Sequence, residues 1–119
     1  MEKVISIDGK SVAFKATAGT IRQYRARFGR DLLMDFQKLQ KEASAEQPLT
    51  ANTLTVFENL AFTMAKQADP SIPDTPDEWL DSFEMFSIYT VLPELVTLWV
   101  ASQAPTVTQK KEQPQQIDL

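Results

Sequence analysis

The spacing of apolar residues changes several times along this chain, and each change marks a new element. Lys3 to Asp8 alternates, with Val4 on one face and Ile5 and Ile7 on the other. Ser11 to Lys15 alternates again, with Val12 and Phe14 on one face. Between them stands Asp8-Gly9, a dipeptide that suits the two left-handed positions of a tight hairpin turn. The pattern predicts a β-hairpin. Two strands alone are marginal in water, so the hairpin must dock on something else.

From residue 17 onward the period becomes helical. Ile21, Tyr24 and Phe28 form one stripe, with Thr17 and Thr20 as competing N-caps. Gly29 is placed to end that helix in a left-handed conformation, and Asp31 to cap the next one. The second helix carries Leu32, Leu33, Phe36 and Leu39. A polar linker, 42–49, leads to a third helix starting at Thr50 or Asn52, with Leu54, Phe57, Leu60, Ala61, Met64 and Ala68 on its face. Three prolines between 70 and 76 demand extended or turning backbone. Thr75-Pro76-Asp77-Glu78 is the clearest helix start in the chain: a threonine cap, a proline at the first position, then two acids. A short helix with Trp79, Leu80 and Phe83 follows, and then a longer apolar helix from Phe86 to Ser102. Pro93 must kink that helix or begin a fresh turn. The reading is an α+β fold, mostly helical, with an N-terminal β-hairpin packed on about five helices. It has one globular domain, 1–102, and a disordered polar tail, 103–119, too poor in large apolar groups to order itself.

Composition narrows the chemistry. The chain has 119 residues, with no cysteine and no histidine. Disulfides, thiolate nucleophiles, cysteine zinc sites and histidine acid–base catalysis are therefore excluded. Three glycines do not suffice for a phosphate-binding loop. Met85 to Ala101 is shorter than the ~20 apolar residues of a membrane span and holds Pro93 and Glu94, so a buried core helix is expected. No secretion signal is evident at the N-terminus. These features point to a non-enzymatic protein, with no cofactor, that works by binding.

Charge is segregated, although the net value is only −4. Between Lys10 and Lys41 eight basic residues face two acidic ones; between Glu42 and Glu94 ten acidic residues face one basic. Either the two halves meet within the fold, or a charged face meets a partner or another copy. The second case permits head-to-tail homo-oligomers.

The most distinctive string runs from Thr20 to Phe36 and holds Arg22, Arg25, Arg27 and Arg30. On a helical wheel of about 100° per residue, Arg22 and Arg25 fall on one flank of the Ile21-Tyr24-Phe28 stripe and Arg27 on the other. They frame the apolar face instead of forming a phosphate-binding stripe. The bland expectation is that their stems cover the core edge while their heads stay in water; the sharper one is partner contact. Overall acidity disfavours nucleic acid. Asp77, Glu78, Asp81 and Glu84 could be taken for a metal cluster or an acid–base pair, but Asp77 and Glu78 already have a role at a helix N-terminus, and no calcium-loop pattern is present. Trp79 and Trp99 are expected in the core, with either one an alternative interface anchor and Trp99 the candidate partner-binding residue.

Ile7-Asp8-Gly9-Lys10, Phe14-Lys15-Ala16-Thr17 and Tyr24-Arg25-Ala26-Arg27-Phe28-Gly29-Arg30-Asp31-Leu32-Leu33 together resemble the tail assembly chaperones of long-tailed phages and Gram-positive prophages. Trp79-Leu80-Asp81, ahead of an apolar helix ending near Trp99, also looks like that family. The resemblance covers about residues 4 to 102. It implies a protein that binds and solubilises the tape measure protein, helps recruit the tail tube protein, acts in the cytoplasm of the bacterial host, and is absent from the mature virion. It implies no catalytic residue. The rival expectation is a structural tail or head–tail connector subunit.

Overall fold

A computed structural model describes residues 1–45 and 48–109, with residues 101–109 as backbone alone. Strands β1 (Glu2–Ile7) and β2 (Lys10–Lys15) pair antiparallel, with Ile7 opposite Lys10 and Glu2 opposite Lys15. Asp8 and Gly9 form the two-residue turn at φ 56° and 74°. Both values are left-handed, which matches the twist of the flanking strands. Ile5, Ile7 and Phe14 are buried as the alternation predicts, and Val4 points out at 60% exposure.

Helix α1 spans Ala18–Phe28. The two threonines that compete for its start act together: Thr17 is the N-cap and Thr20 reciprocates from the third helical position, accepting from the Thr17 amide at 2.9 Å. Gly29 ends the helix at φ 66°, and its N–H donates to the Arg25 carbonyl at 2.8 Å. Asp31 then caps α2 (Leu32–Ser44), its carboxylate accepting from the amides of Leu33 and Met34. Leu32, Phe36 and Leu39 are buried, whereas Leu33 is 51% exposed. Leu33 lies about 100° from Leu32 around the helix, and the inward place beside Leu32, Phe36 and Leu39 is taken by Asp35.

Helix α3 (Ala51–Ala68) starts at Thr50 and is the centre of the fold. Every residue from Leu60 to Ala65 is buried, so this turn and a half has no outward face. A one-sided stripe underestimates it, because β2, α1 and α2 all pack around α3. The proline segment after it is tied down by Lys66, whose ammonium donates to the carbonyls of Pro70 and Ile72 and to Asp74 at 2.7–2.9 Å. Thr75 and Pro76 open α4 (Pro76–Leu80) as predicted, the threonine hydroxyl accepting from the Glu78 amide at 3.2 Å.

The long C-terminal helix is two helices, α5 (Ser87–Thr90) and α6 (Leu92–Gln109), which makes six among the described residues. Pro93 begins the fresh turn: it sits at the second position of α6, where a missing N–H costs nothing. Met85 and Phe86 are 78% and 71% exposed, contrary to the expectation of a buried helix from residue 85. They stand outside both helices, so no helical face turns them inward. At the other end, α6 runs seven residues past the expected boundary at 102. Extending an existing helix is far easier than nucleating one, so backbone helicity outlasts the apolar side chains. The rest of the expected tail, 110–119, lies outside the described residues.

Two tryptophans tie the outer elements to α3. Trp79 meets Phe14 of β2, Phe62 of α3 and Phe83 at ring separations of 6.5, 5.9 and 5.1 Å. Trp99 meets Phe36 of α2 and Phe57 of α3 at 5.7 and 6.3 Å. Its indole N–H points at the Met64 sulfur.

Gly29→Ala will test the corner. The left-handed backbone costs an L-residue about 1–2 kcal/mol, and a Cβ at Gly29 would meet nothing within 4 Å. The variant is expected to fold, to be less stable by that amount, and to melt several degrees below wild type. A melt unchanged from wild type would show that the corner does not need its glycine.

Candidate partner-binding surface

The four arginines divide into two pairs. Arg27 lies over the Phe62 ring at 5.3 Å, covering the edge of the core. Arg30 grips Asp35 with two hydrogen bonds, Nε to Oδ2 at 2.7 Å and Nη2 to Oδ1 at 2.8 Å. Asp35 also accepts from the Tyr24 hydroxyl at 2.9 Å, so one buried carboxylate joins α1, the corner and α2. Both residues thus have internal work, which corrects the expectation that all four arginines are available to a partner. Arg22 and Arg25 differ: both are exposed, and neither guanidinium has an ion-pair or hydrogen-bonding partner among the described residues. Trp99 is 6% exposed and surrounded by Phe36, Phe57 and Met64. It is a core residue in this fold and offers no ring to a partner.

The Asp35 lock borders a pocket of about 190 Å³ with Lys38, Asn52, Thr55, Val56 and Asn59 on its walls. The Arg30 guanidinium holds the Asp35 carboxyl below its ordinary range against the opposing effect of burial. A carboxylate held ionised in this way is a weak base, so the arrangement acts as a clasp. Burial first, then the hydrogen bond to Asp35, pushes the Tyr24 hydroxyl far above its usual value. Tyr89, which donates to Glu58 at 2.6 Å, is pushed up to about 12.

No ion pair among the described residues joins the basic block to the acidic one. The ion pairs there are Lys3–Glu94, Arg30–Asp35 and Lys66–Asp74. Arg27 approaches closely enough to help Lys66 keep Asp74 ionised, but makes no ion pair with it. The surface therefore keeps a basic arm on α1 and an acidic stretch around α4. Beside the basic arm, the first turn of α2 exposes Leu33 and Met34, the latter at 68%. Arg22 and Arg25 on α1, and Leu33 and Met34 on α2, are thus exposed basic and apolar residues carried by the two arms of one corner. The arginines were legible from the sequence. The exposed pair was not, because an apolar residue in a first helical turn gives no sign of which way it faces.

A second contact was also hidden. Asp8, in the hairpin turn, accepts from the Glu84 amide at 2.8 Å and from the Ser87 hydroxyl. Lys10 donates to the Ser82 carbonyl at 2.9 Å and lies over the Phe83 ring. The tip of the hairpin is thereby fastened to residues 82–87. No sequence signal links groups so far apart in the chain.

Among the described residues no group of acidic side chains converges as a metal site. No described helix is long and apolar enough to cross a membrane. No protein-family model matches the chain, and neither a curated protein nor a solved structure is significantly similar to it.

The clasp predicts a pH dependence of known sign. Asp35 has a lowered folded pKa, so its contribution is complete above the ordinary carboxylate value near 4 and is lost as pH falls through the folded value. Asp35→Asn should unfold several degrees below wild type at pH 7, with the gap narrowing toward pH 2. A constant gap across that range would contradict the ionised clasp. Tyr24→Phe removes one hydrogen bond to a charged acceptor and should cost about 1.5–3 kcal/mol at neutral pH, read from chemical denaturation.

Proposed function

We propose that this protein is a tail assembly chaperone of a long-tailed phage or prophage. On this reading it has no catalytic step. It binds and solubilises the tape measure protein in the bacterial cytoplasm, helps recruit tail tube protein, and is released before the virion is complete. One observation carries the proposal. The residues that resemble the family, from Ile7 to Leu33, fold into the hairpin tip and the α1–α2 corner, and that corner leaves Arg22, Arg25, Leu33 and Met34 exposed and unused by the fold.

The physics of the task suits such a surface. A long helical protein with unassembled apolar stripes aggregates unless the stripes are covered. Exposed leucine and methionine supply adaptable apolar contact, and flanking arginines bind acidic positions along a helix. The separate acidic stretch around α4 lets successive copies sit next to one another along an extended client, where many weak contacts add avidity.

Co-expression with a fragment of the tape measure protein tests the proposal. The fragment should move from the pellet to the soluble fraction and co-purify with this protein. Arg22→Glu combined with Arg25→Glu should reduce recovery several-fold without lowering the melting temperature. A fragment that stays insoluble, with no complex recovered, would overturn the function while leaving the fold intact.

A further inference from the structure

The hairpin has an open edge. Ile7 and Lys10 flank a two-residue turn and so form a hydrogen-bonded pair, and the alternation of an antiparallel ladder then turns the backbone groups of Glu2, Val4 and Ser6 outward from β1. The sheet contains β1 and β2 alone among the described residues, and β2 is the strand that packs on α3. The backbone amides and carbonyls of Val4 and Ser6 have no hydrogen-bonding partner there. An exposed edge of this kind is a template for another strand.

A groove lies beside that edge. Its volume is about 450 Å³, and its walls are Ser6, Ile7 and Asp8 on one side and Glu84, Met85, Phe86 and Thr90 on the other. The contacts of Asp8 with Glu84 and Ser87 hold the second wall in place. Met85 and Phe86 are among the most exposed large apolar side chains described. The charges around the groove favour a basic occupant. Lys3 is paired with Glu94 and Lys10 is held on the Ser82 carbonyl and the Phe83 ring, while Glu84 on the groove wall has no ion-pair partner among the described residues.

We infer that this groove takes an extended segment of a partner protein as a third strand along β1. Its apolar side chains would pack on Met85 and Phe86, and a lysine or arginine would meet Glu84. Backbone pairing supplies affinity in this mode, and pockets for alternate side chains supply selectivity. A second copy of this chain is a poor fit. The residues on the exposed face of its β1 are Glu2, Val4 and Ser6, which bring an acid and no cation to Glu84. The site is separate from the α1–α2 corner and takes a strand instead of a helix, so it stands or falls independently of the tape measure proposal.

Backbone NMR titration of the full chain with a seven-residue peptide alternating valine and lysine tests this. Saturable shifts are expected at the amides of Val4 and Ser6 and around Met85 and Phe86. A peptide with glutamate in place of lysine should bind at least tenfold more weakly. Ser6→Pro removes an outward N–H that bonds to nothing in the fold, and proline is tolerated on edge strands. It should abolish binding while the melting temperature stays near wild type. Glu84→Lys, whose side chain makes no fold contact on which the proposal depends, should reverse the preference between the two peptides. Absence of saturable binding to the basic peptide, binding untouched by Ser6→Pro, or a homodimer of the free protein that Ser6→Pro dissolves would each overturn the inference.

Discussion

Burial of the second half of α3 is the constraint on which the other elements depend. A helix with no outward face from Leu60 to Ala65 must be enclosed, and the chain supplies too few elements to do so with aliphatic contacts alone. Aromatic rings complete the enclosure. Trp79 brings β2 and α4 onto Phe62, and Trp99 brings α2 and α6 onto Phe57 and Met64. Each tryptophan thus couples elements far apart in sequence, which is why both are core residues. Their size makes them expensive to expose and therefore poor choices for a surface that must come and go.

With the core enclosed, the polar groups decide which surfaces remain available. The Tyr24–Asp35–Arg30 clasp fixes the angle between α1 and α2 and consumes one arginine. The Arg27–Phe62 stack consumes another. Arg22 and Arg25 are left over on α1, as are Leu33 and Met34 on α2. The same division occurs at the hairpin tip, where Asp8 and Lys10 are consumed by residues 82–87 while Met85 and Phe86 are left out. Each surface proposed for a partner is the remainder of a structural junction. The junction holds the remainder in a fixed geometry, so little ordering has to be done on binding.

Local chemistry made much of the fold legible in the sequence. Asp8-Gly9, Thr17, Gly29, Asp31 and Thr75-Pro76 all act where their backbone preferences place them, because caps and turns are set by neighbours within a few residues. What was not legible depends on distant partners. Leu33 and Asp35 exchange the roles that hydrophobicity assigns them, since Asp35 finds Arg30 and Tyr24 in the folded state. Lys66 reads as a stray cation in an acidic region and proves to organise the proline segment. In the candidate surface, the arginines were visible as a group, but their division into two consumed and two spare was not.

The proposed role makes a demand that a structural tail subunit does not share: the protein must be abundant during assembly and gone from the product. Quantitative mass spectrometry of induced cells and of purified particles measures this directly. The account predicts many copies per tape measure protein in lysates taken during assembly, and none above background in washed virions. A fixed, stoichiometric number of copies in every particle would contradict it and identify a structural subunit instead.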